Sequence, residues 1–333
     1  MSNKRAELLT LARAWDAKQN DPRDNFRYRD ALEDLLFHAG LRFHEYKQFR
    51  GDGDFESRFV MFLENGRDER HRKALFRLAC RLLFIDKLQI TALYRDAYRR
   101  IITRWLTAGV FSPADHVDGG YDSSVRSLLR GHLIRSITDS FDFNEFLHVN
   151  DLIGLPKPSS LGEDPLAAIS RVPPAMGKAS GIVVLEDFVG TGTQACRVLE
   201  SLLSTVRPGF KFLFVPLIML EGASNKLRSL EGRIDIQPVL TIPTSAGVQS
   251  KPIEAEDPDF KVFRSLINAT SARVLERFTD EDDPPKDAFG YGSSGALVVT
   301  SHNAPNNTLP LIHHKAPDWE PLFRRLHHSK DGL

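Results

Sequence analysis

Cysteine is scarce: Cys80 and Cys196 are the only two in 333 residues, far apart and each within a helical-looking run. A disulfide framework and a cysteine-ligated zinc site both need more thiols at closer spacing, so two buried thiols in a reducing, cytoplasmic compartment are expected. An excess of either charge is also lacking, since Lys+Arg 44 balances Asp+Glu 44. Net charge alone therefore points to no polyanionic partner. No apolar run approaches the roughly 18 residues that a membrane helix needs, and the opening MSNKRAELLTLARAWD is too charged for a signal-peptide core. A membrane role is not expected. HExxH and comparable histidine spacings, a Gly-x-Ser-x-Gly elbow and a Walker A loop are missing as well. Direct ligation of a metal by the chain is not expected.

What is present is a folding composition, 41% hydrophobic and 26% charged. At about 150 residues per domain, the length suggests two domains. The charge is unevenly placed: residues 1 to 110 carry 22 basic and 16 acidic side chains, the remainder 22 and 28. In the first stretch, Leu8, Leu9, Ala12 and Trp15 recur at helical spacing, as do Leu32, Leu35, Leu36 and Ala39. Gly40, Gly66 and Gly109 read as helix stops. HRKALFRLACRLLFID from His71, LQITALYRDAYRRIITRWL from Leu88 and SSVRSLLRGHLIRSI read as further helices, with loops at 111–122 and 151–180. After Gly181 the period changes. GIVVLED, FKFLFVPLIML, IDIQPVLTI and ALVVTSH read as strands, and TQACRVLESLL, SNKLRSLEG and DFKVFRSLINATSARVLERF as the helices between them. Alternation of this kind means βαβ units around a mostly parallel sheet flanked by helices. The expected division is a helical N-terminal domain, 1–110, and an α/β domain, 111–333.

The informative segment is GIVVLEDFVGTGTQ, from Gly181 to Gln194. An apolar strand delivers Glu186 and Asp187 to its carboxyl end, where ligands bind in open α/β sheets. A loop with Gly190, Thr191, Gly192, Thr193 and Gln194 then opens a helix, and backbone N–H groups in such a loop bind phosphate. Two acids beside an anion site suit a pair of sugar hydroxyls, with magnesium offsetting the charge. The ligand expected is a ribose 5-phosphate. The alternative for the same residues is an ordinary βαβ turn in which Thr191 or Thr193 only caps the helix.

This pattern of an apolar strand, two acids, three variable residues and Thr-Gly resembles that of the α/β phosphoribosyltransferases. The resemblance implies that Glu186 and Asp187 hold the 2′ and 3′ hydroxyls of phosphoribosyl pyrophosphate, with Mg²⁺, and that Gly190 to Gln194 hold the 5-phosphate. Gly190 stands where several purine-processing members carry an acid, and Gln194 where many have Thr. Gly119-Gly120 and Lys157-Pro158-Ser159 are the two candidates for a pyrophosphate loop. Near the C-terminus, FGYGSSGALVVTSHNAPNNTLP (Phe289 to Pro310), followed by Trp319, is similar to phosphoribosyltransferase-like proteins of bacterial conflict systems, some encoded beside reverse transcriptases. That similarity implies an effector or regulator in an antiphage defence complex. His302, Asn303, Asn306 and Asn307 there are candidates to contact a base or the pyrophosphate, or else they form a hydrogen-bonded turn.

A different function is offered by Arg67 to Arg104, with 11 Lys/Arg against four acids and Tyr94, Tyr98 and Trp105 interleaved. Arg95, Arg99, Arg100 and Arg104 are candidate nucleic-acid contacts, or simply a solvated face. A transferase and a non-catalytic sensor or scaffold whose basic helices meet nucleic acid or a partner protein are both open.

Overall fold

The computed structural model describes residues 3–18, 25–46, 53–108, 121–155, 160–161, 179–206, 209–252, 257–275 and 287–325. The loop expected at 111–122, most of 151–180 and both pyrophosphate-loop candidates lie outside them almost entirely. The fold is α/β, with parallel strand pairs flanked by helices and an N-terminal helical region. Contacts group the chain into two compact units, Met1–Lys87 with Ser245–Leu333, and Leu88–Thr244.

In chain order the first unit begins with α1 (Asn3–Ala17), α2 (Tyr28–Leu41), α3 (Phe55–Glu64), α4 (Glu69–Cys80) and β1 (Leu83–Ile85). The second unit holds α5 (Lys87–Asp96), a π-helical segment Ala97–Ile102 and α6 (Thr103–Thr107), then α7 (Tyr121–Arg130), β2 (His132–Ser136) and α8 (Phe143–Val149). It continues through β3 (Gly181–Val189), α9 (Thr193–Thr205), β4 (Lys211–Leu220), α10 (Glu221–Leu227), β5 (Asp235–Ile236) and β6 (Leu240–Ile242). The chain then returns to the first unit with α11 (Pro258–Leu275), β7 (Val298–Thr300) and α12 (Pro310–His313).

The first unit is held by one apolar core drawn from both ends of the chain. Trp15, Tyr28, Phe59 and Phe76 share it with Phe263, Trp319 and Phe323. Ring pairs such as Trp15–Phe76 at 5.7 Å and Phe62–Trp319 at 6.4 Å meet edge to face, the arrangement that the ring quadrupole favours. Buried polar groups are paired inward. Arg77 Nη1 lies 2.9 Å from Asp259 Oδ1 and its Nε donates to the Tyr28 hydroxyl at 2.9 Å. Asp54 and Asp68 start α3 and α4 by accepting from the backbone N–H of Ser57 and His71. The C-terminal stretch completes the core that α1 to α4 begin.

Four sequence expectations change here. The helix from His71 stops at Cys80, and Leu83–Ile85 instead pairs in parallel with β7. The ALVVTSH strand therefore forms a separate two-stranded sheet and is not the last strand of the main one. Gly40 lies inside α2. Cys80 and Cys196 are free thiols of intermediate exposure and not fully buried.

In the second unit all pairings of named strands are parallel, in the order β2, β3, β4, with β5 and β6 following one another along the far edge of β4. SSVRSLLRGHLIRSI is helix only as far as Arg130. Gly131 ends it, and His132–Ser136 joins β3 as an edge strand. IDIQPVLTI is likewise divided, at the proline, which lacks the N–H that a continuous ladder needs. Ile182, Val184, Phe212 and Phe214 cluster with Val198, Leu199 and Leu202 of α9, and each such buried side chain contributes about 1.5–3 kcal/mol.

Candidate ribose-phosphate site

The acids stand where the strand can first accept them. Val183, Val184 and Leu185 are 0% exposed and β3 is paired along both edges, so its interior takes only apolar side chains. Glu186 and Asp187 follow at its carboxyl end. Glu186 is itself buried, and its charge is met by donors from the stretch after β2. Oε2 accepts from the backbone N–H of Ile137 at 3.1 Å and of Thr138 at 3.0 Å, and Oε1 accepts from the Thr138 hydroxyl at 2.6 Å. Burial pushes the Glu186 pKa up, the neighbouring Asp187 charge pushes the same way, and the three hydrogen bonds pull back. Glu186 thus fastens the loop after β2 to β3.

Asp187 is half-buried, and burial raises its pKa too. Its Oδ1 accepts from Ser140 Oγ at 2.9 Å and from the Phe188 N–H at 2.8 Å. Oδ2 accepts no hydrogen bond from the described residues, which leaves it for a ligand's hydroxyl. Tyr94 packs edge-on to Phe141 and Phe146, at 5.4 and 5.8 Å. Burial first, then the charge of Asp187, hold its phenol far above the ordinary tyrosine range.

The loop after β3 turns at Gly192, whose φ of +74° is one that side chains with a Cβ rarely adopt. A Cβ there would also meet the carbonyl oxygen of Ala223 at 3.1 Å. Gly192 is the cap residue of α9 and makes no side-chain cap. The capping by Thr191 or Thr193 that the alternative reading requires comes down to one long contact, from the Thr193 N–H to Thr191 Oγ1 at 3.4 Å. Lys226 Nζ donates to Thr193 Oγ1 at 3.0 Å, which brings a positive charge from α10 to the mouth of the turn. A helix start without a side-chain cap, a glycine turn and a lysine together attract an anion.

The PRTase-CE family model matches residues 59–325. The chain belongs to the PRTase-CE family. The match runs through both units, from α3 to beyond α12, and the parallel α/β fold fits a phosphoribosyltransferase-like protein. No curated protein matches the chain.

Within this PRTase-CE chain, Glu186 to Gln194 run from the carboxyl end of β3 through the turn to the start of α9. Thr138, Ser140 and Lys226 join them, and nothing in the motif singles those three out. The usable signal is topological: β2 and β4 flank β3, so the segments that leave their carboxyl ends emerge on the same side. His302, Asn303, Asn306 and Asn307 belong to the first unit. The Ala304 N–H donates to Asn303 Oδ1 at 2.9 Å, Asn307 Nδ2 donates to the Tyr291 carbonyl at 3.1 Å, and the Asn306 carbonyl accepts from the Tyr291 N–H at 2.9 Å. These asparagines build a turn. The basic stretch divides. Arg77 and Arg81 pair with Asp259 and Asp257, whereas Arg95, Arg99, Arg100 and Arg104 are exposed. Of the interleaved aromatics, Tyr94 is buried, and Trp105 Nε1 donates to Asp235 Oδ2 at 2.7 Å. Among the described residues no group of three or more His, Cys, Asp or Glu is arranged to hold a metal ion.

Proposed function

We propose that the chain binds a 5-phosphorylated ribose, as phosphoribosyl pyrophosphate with Mg²⁺ or as a related nucleotide. The observation that carries this reading is the placement of Asp187, whose Oδ2 accepts no hydrogen bond from the described residues, at the same strand end as an α9 start that has no side-chain cap and is flanked by Lys226. Asp187 orients the ribose hydroxyls, Glu186 holds the loop that positions Asp187's partner Ser140, and the turn from Gly190 to Gln194 takes the phosphate. Asp187 is also the residue that would face a magnesium ion riding with the ligand. When bound, the ion neutralises charge between acids and phosphates. The similarity of the Phe289 to Pro310 stretch to conflict-system proteins supports a place for this site in a bacterial defence complex, as effector or regulator.

The test is calorimetric titration of ribose 5-phosphate, and of phosphoribosyl pyrophosphate with Mg²⁺, into the wild type and the Glu186→Gln/Asp187→Asn double variant. Binding by the wild type that is lost in the variant is the expected result. No binding of either ligand by the wild type sinks the reading.

A second reading, nucleic-acid contact by a non-catalytic scaffold, is favoured by the four exposed arginines. Among the described residues only Arg100 has a carboxylate nearby, Asp96 at 3.6 Å. A gel shift whose affinity falls steeply with salt supports it, and no shift at low salt removes it.

A further inference from the structure

In the first unit a cavity of about 360 Å³ opens between α2 and β1. Ala31, Asp34, Leu35 and His38 line it from α2, and Leu82, Leu83 and Phe84 form the opposite wall. Successive side chains of a strand point to opposite faces, so three consecutive residues share one cavity when the strand presents its edge to it. That edge is the free one. Among the described residues β1 pairs with β7 alone, and in a parallel ladder alternate residues bond to the same neighbour. The Leu83 N–H donates to the Leu297 carbonyl at 2.8 Å, and the Ile85 carbonyl accepts from the Ser301 N–H at 2.9 Å. The N–H and C=O of Phe84, between them, therefore face away from β7. Phe84 is 4% exposed, and no described residue bonds to those two groups. Buried backbone groups are nearly always paired, so this donor and acceptor call for a partner.

The surface around the cavity is apolar. Seven large apolar side chains are exposed among the described residues, and three of them gather here. Leu83 belongs to the lining, Phe37 packs edge-on against the lining residue His38 at 5.8 Å, and Leu41 follows one helical turn after both. Clustered exposure of this kind marks an interaction surface. The charge is specific as well. Arg42 is paired with Asp86 at 3.3 Å, whereas Asp34, in the same lining, is exposed and has no ion pair among the described residues. An apolar small molecule would fill the cavity and leave the Phe84 backbone unsatisfied. An extended peptide meets all three features. Its backbone supplies a C=O and an N–H to Phe84, an aliphatic or aromatic side chain enters the cavity, and a Lys or Arg pairs with Asp34.

We infer that the groove between α2 and the free edge of β1 docks an extended segment of a partner protein, added as a third strand to the β1–β7 sheet, with an apolar anchor in the cavity and a basic residue at Asp34. The experiment is fluorescence-anisotropy titration of the full chain into labelled hexapeptides, rich in Val and Thr, that carry a central Leu or Phe flanked by Lys, Ser or Glu. The Lys peptides are expected to bind about fivefold tighter than the Glu peptides. Replacing the anchor by Ala should cost about tenfold or more. N-methylation of the peptide amides should cost about tenfold at alternate positions, those that bond to the strand, and little between them. Binding should slow hydrogen exchange at the Phe84 amide and leave Leu83 and Ile85, already in the ladder, unchanged. Ala31→Leu, which fills the cavity from α2, and Asp34→Lys should each weaken binding, with melting temperature as the check that both variants are folded. No binding by any of the peptides at about 1 mM overturns the inference. So does binding that is indifferent to N-methylation at every amide, which would mean a side-chain pocket without strand addition. A dimer in sedimentation that Leu83→Lys dissociates, a lysine on the edge being a block to strand pairing, would assign the edge to a second copy of the chain and also overturn it.

Discussion

The two units use their polar residues differently. In the first, buried charges and amides face inward and join segments from the two ends of the chain: Arg77 with Asp259, and Asn65 with the backbone of Glu320 through contacts of 2.7 and 3.0 Å. Its core is rich in rings. In the second, the sheet interior is mainly aliphatic, with Phe212 and Phe214 its buried rings, and acids and hydroxyls gather at the carboxyl ends of β2 and β3, where one Asp187 oxygen accepts no hydrogen bond from the described residues. Burial of charge therefore has two meanings in one molecule. A charge whose partners are all supplied by the protein belongs to the scaffold, while one held in place with acceptor capacity to spare marks a site. The run of 11 Lys/Arg from Arg67 to Arg104 spans both cases, which is why its charge count alone decides nothing.

The comparison breaks most visibly at Trp319, 1% exposed in the first unit. Trp319→Ala is expected to cost about 3–5 kcal/mol in denaturant unfolding. Hydrogen exchange should show α3 and α11 losing protection together, because Phe62 and Arg273 both pack on that ring. Loss confined to one end of the chain would mean that the shared core is not a single unit. A smaller effect is expected in the second unit from Gly192→Ala. A side chain at φ +74° costs about 1–3 kcal/mol, and the clash with Ala223 should also open the turn proposed to take the phosphate. Ribose 5-phosphate affinity should therefore fall further than the stability loss alone would require.

The smallest effect concerns the sign of pH dependence. Burial raises the folded pKa of Glu186, so its contribution to stability is full below the unfolded value and is lost as pH rises through the folded one. Asp54, lowered by the Ser57 N–H, does the reverse: its contribution is present above the unfolded pKa and disappears as pH falls. Melting temperature across pH should therefore decline upward from the ordinary carboxylate range in a way that Glu186→Gln flattens, while Asp54→Asn alters only the acid limb. Superimposable profiles for wild type and Glu186→Gln would mean that the burial of Glu186 carries no pH-dependent stability.

The local part of this architecture is readable from residue order. Continuous apolar residues before Glu186 mean a strand paired on both edges, a glycine is required where φ is positive, and three-and-four spacing gives α1, α2, α4 and α9. Each of these depends on neighbours within a few positions, so the sequence by itself determined the β3–turn–α9 unit and its acids. Tertiary structure alone decided the rest. Leu83–Ile85 has the composition of a helix end and becomes a strand because Val298–Thr300, from the far end of the chain, offers it a ladder. Thr138, Ser140 and Lys226 become partners of the acids and the turn only because β2 and β4 lie on either side of β3. Those contacts join residues remote in the chain, and they are set by which apolar faces can be buried together, a condition that no short window of sequence contains.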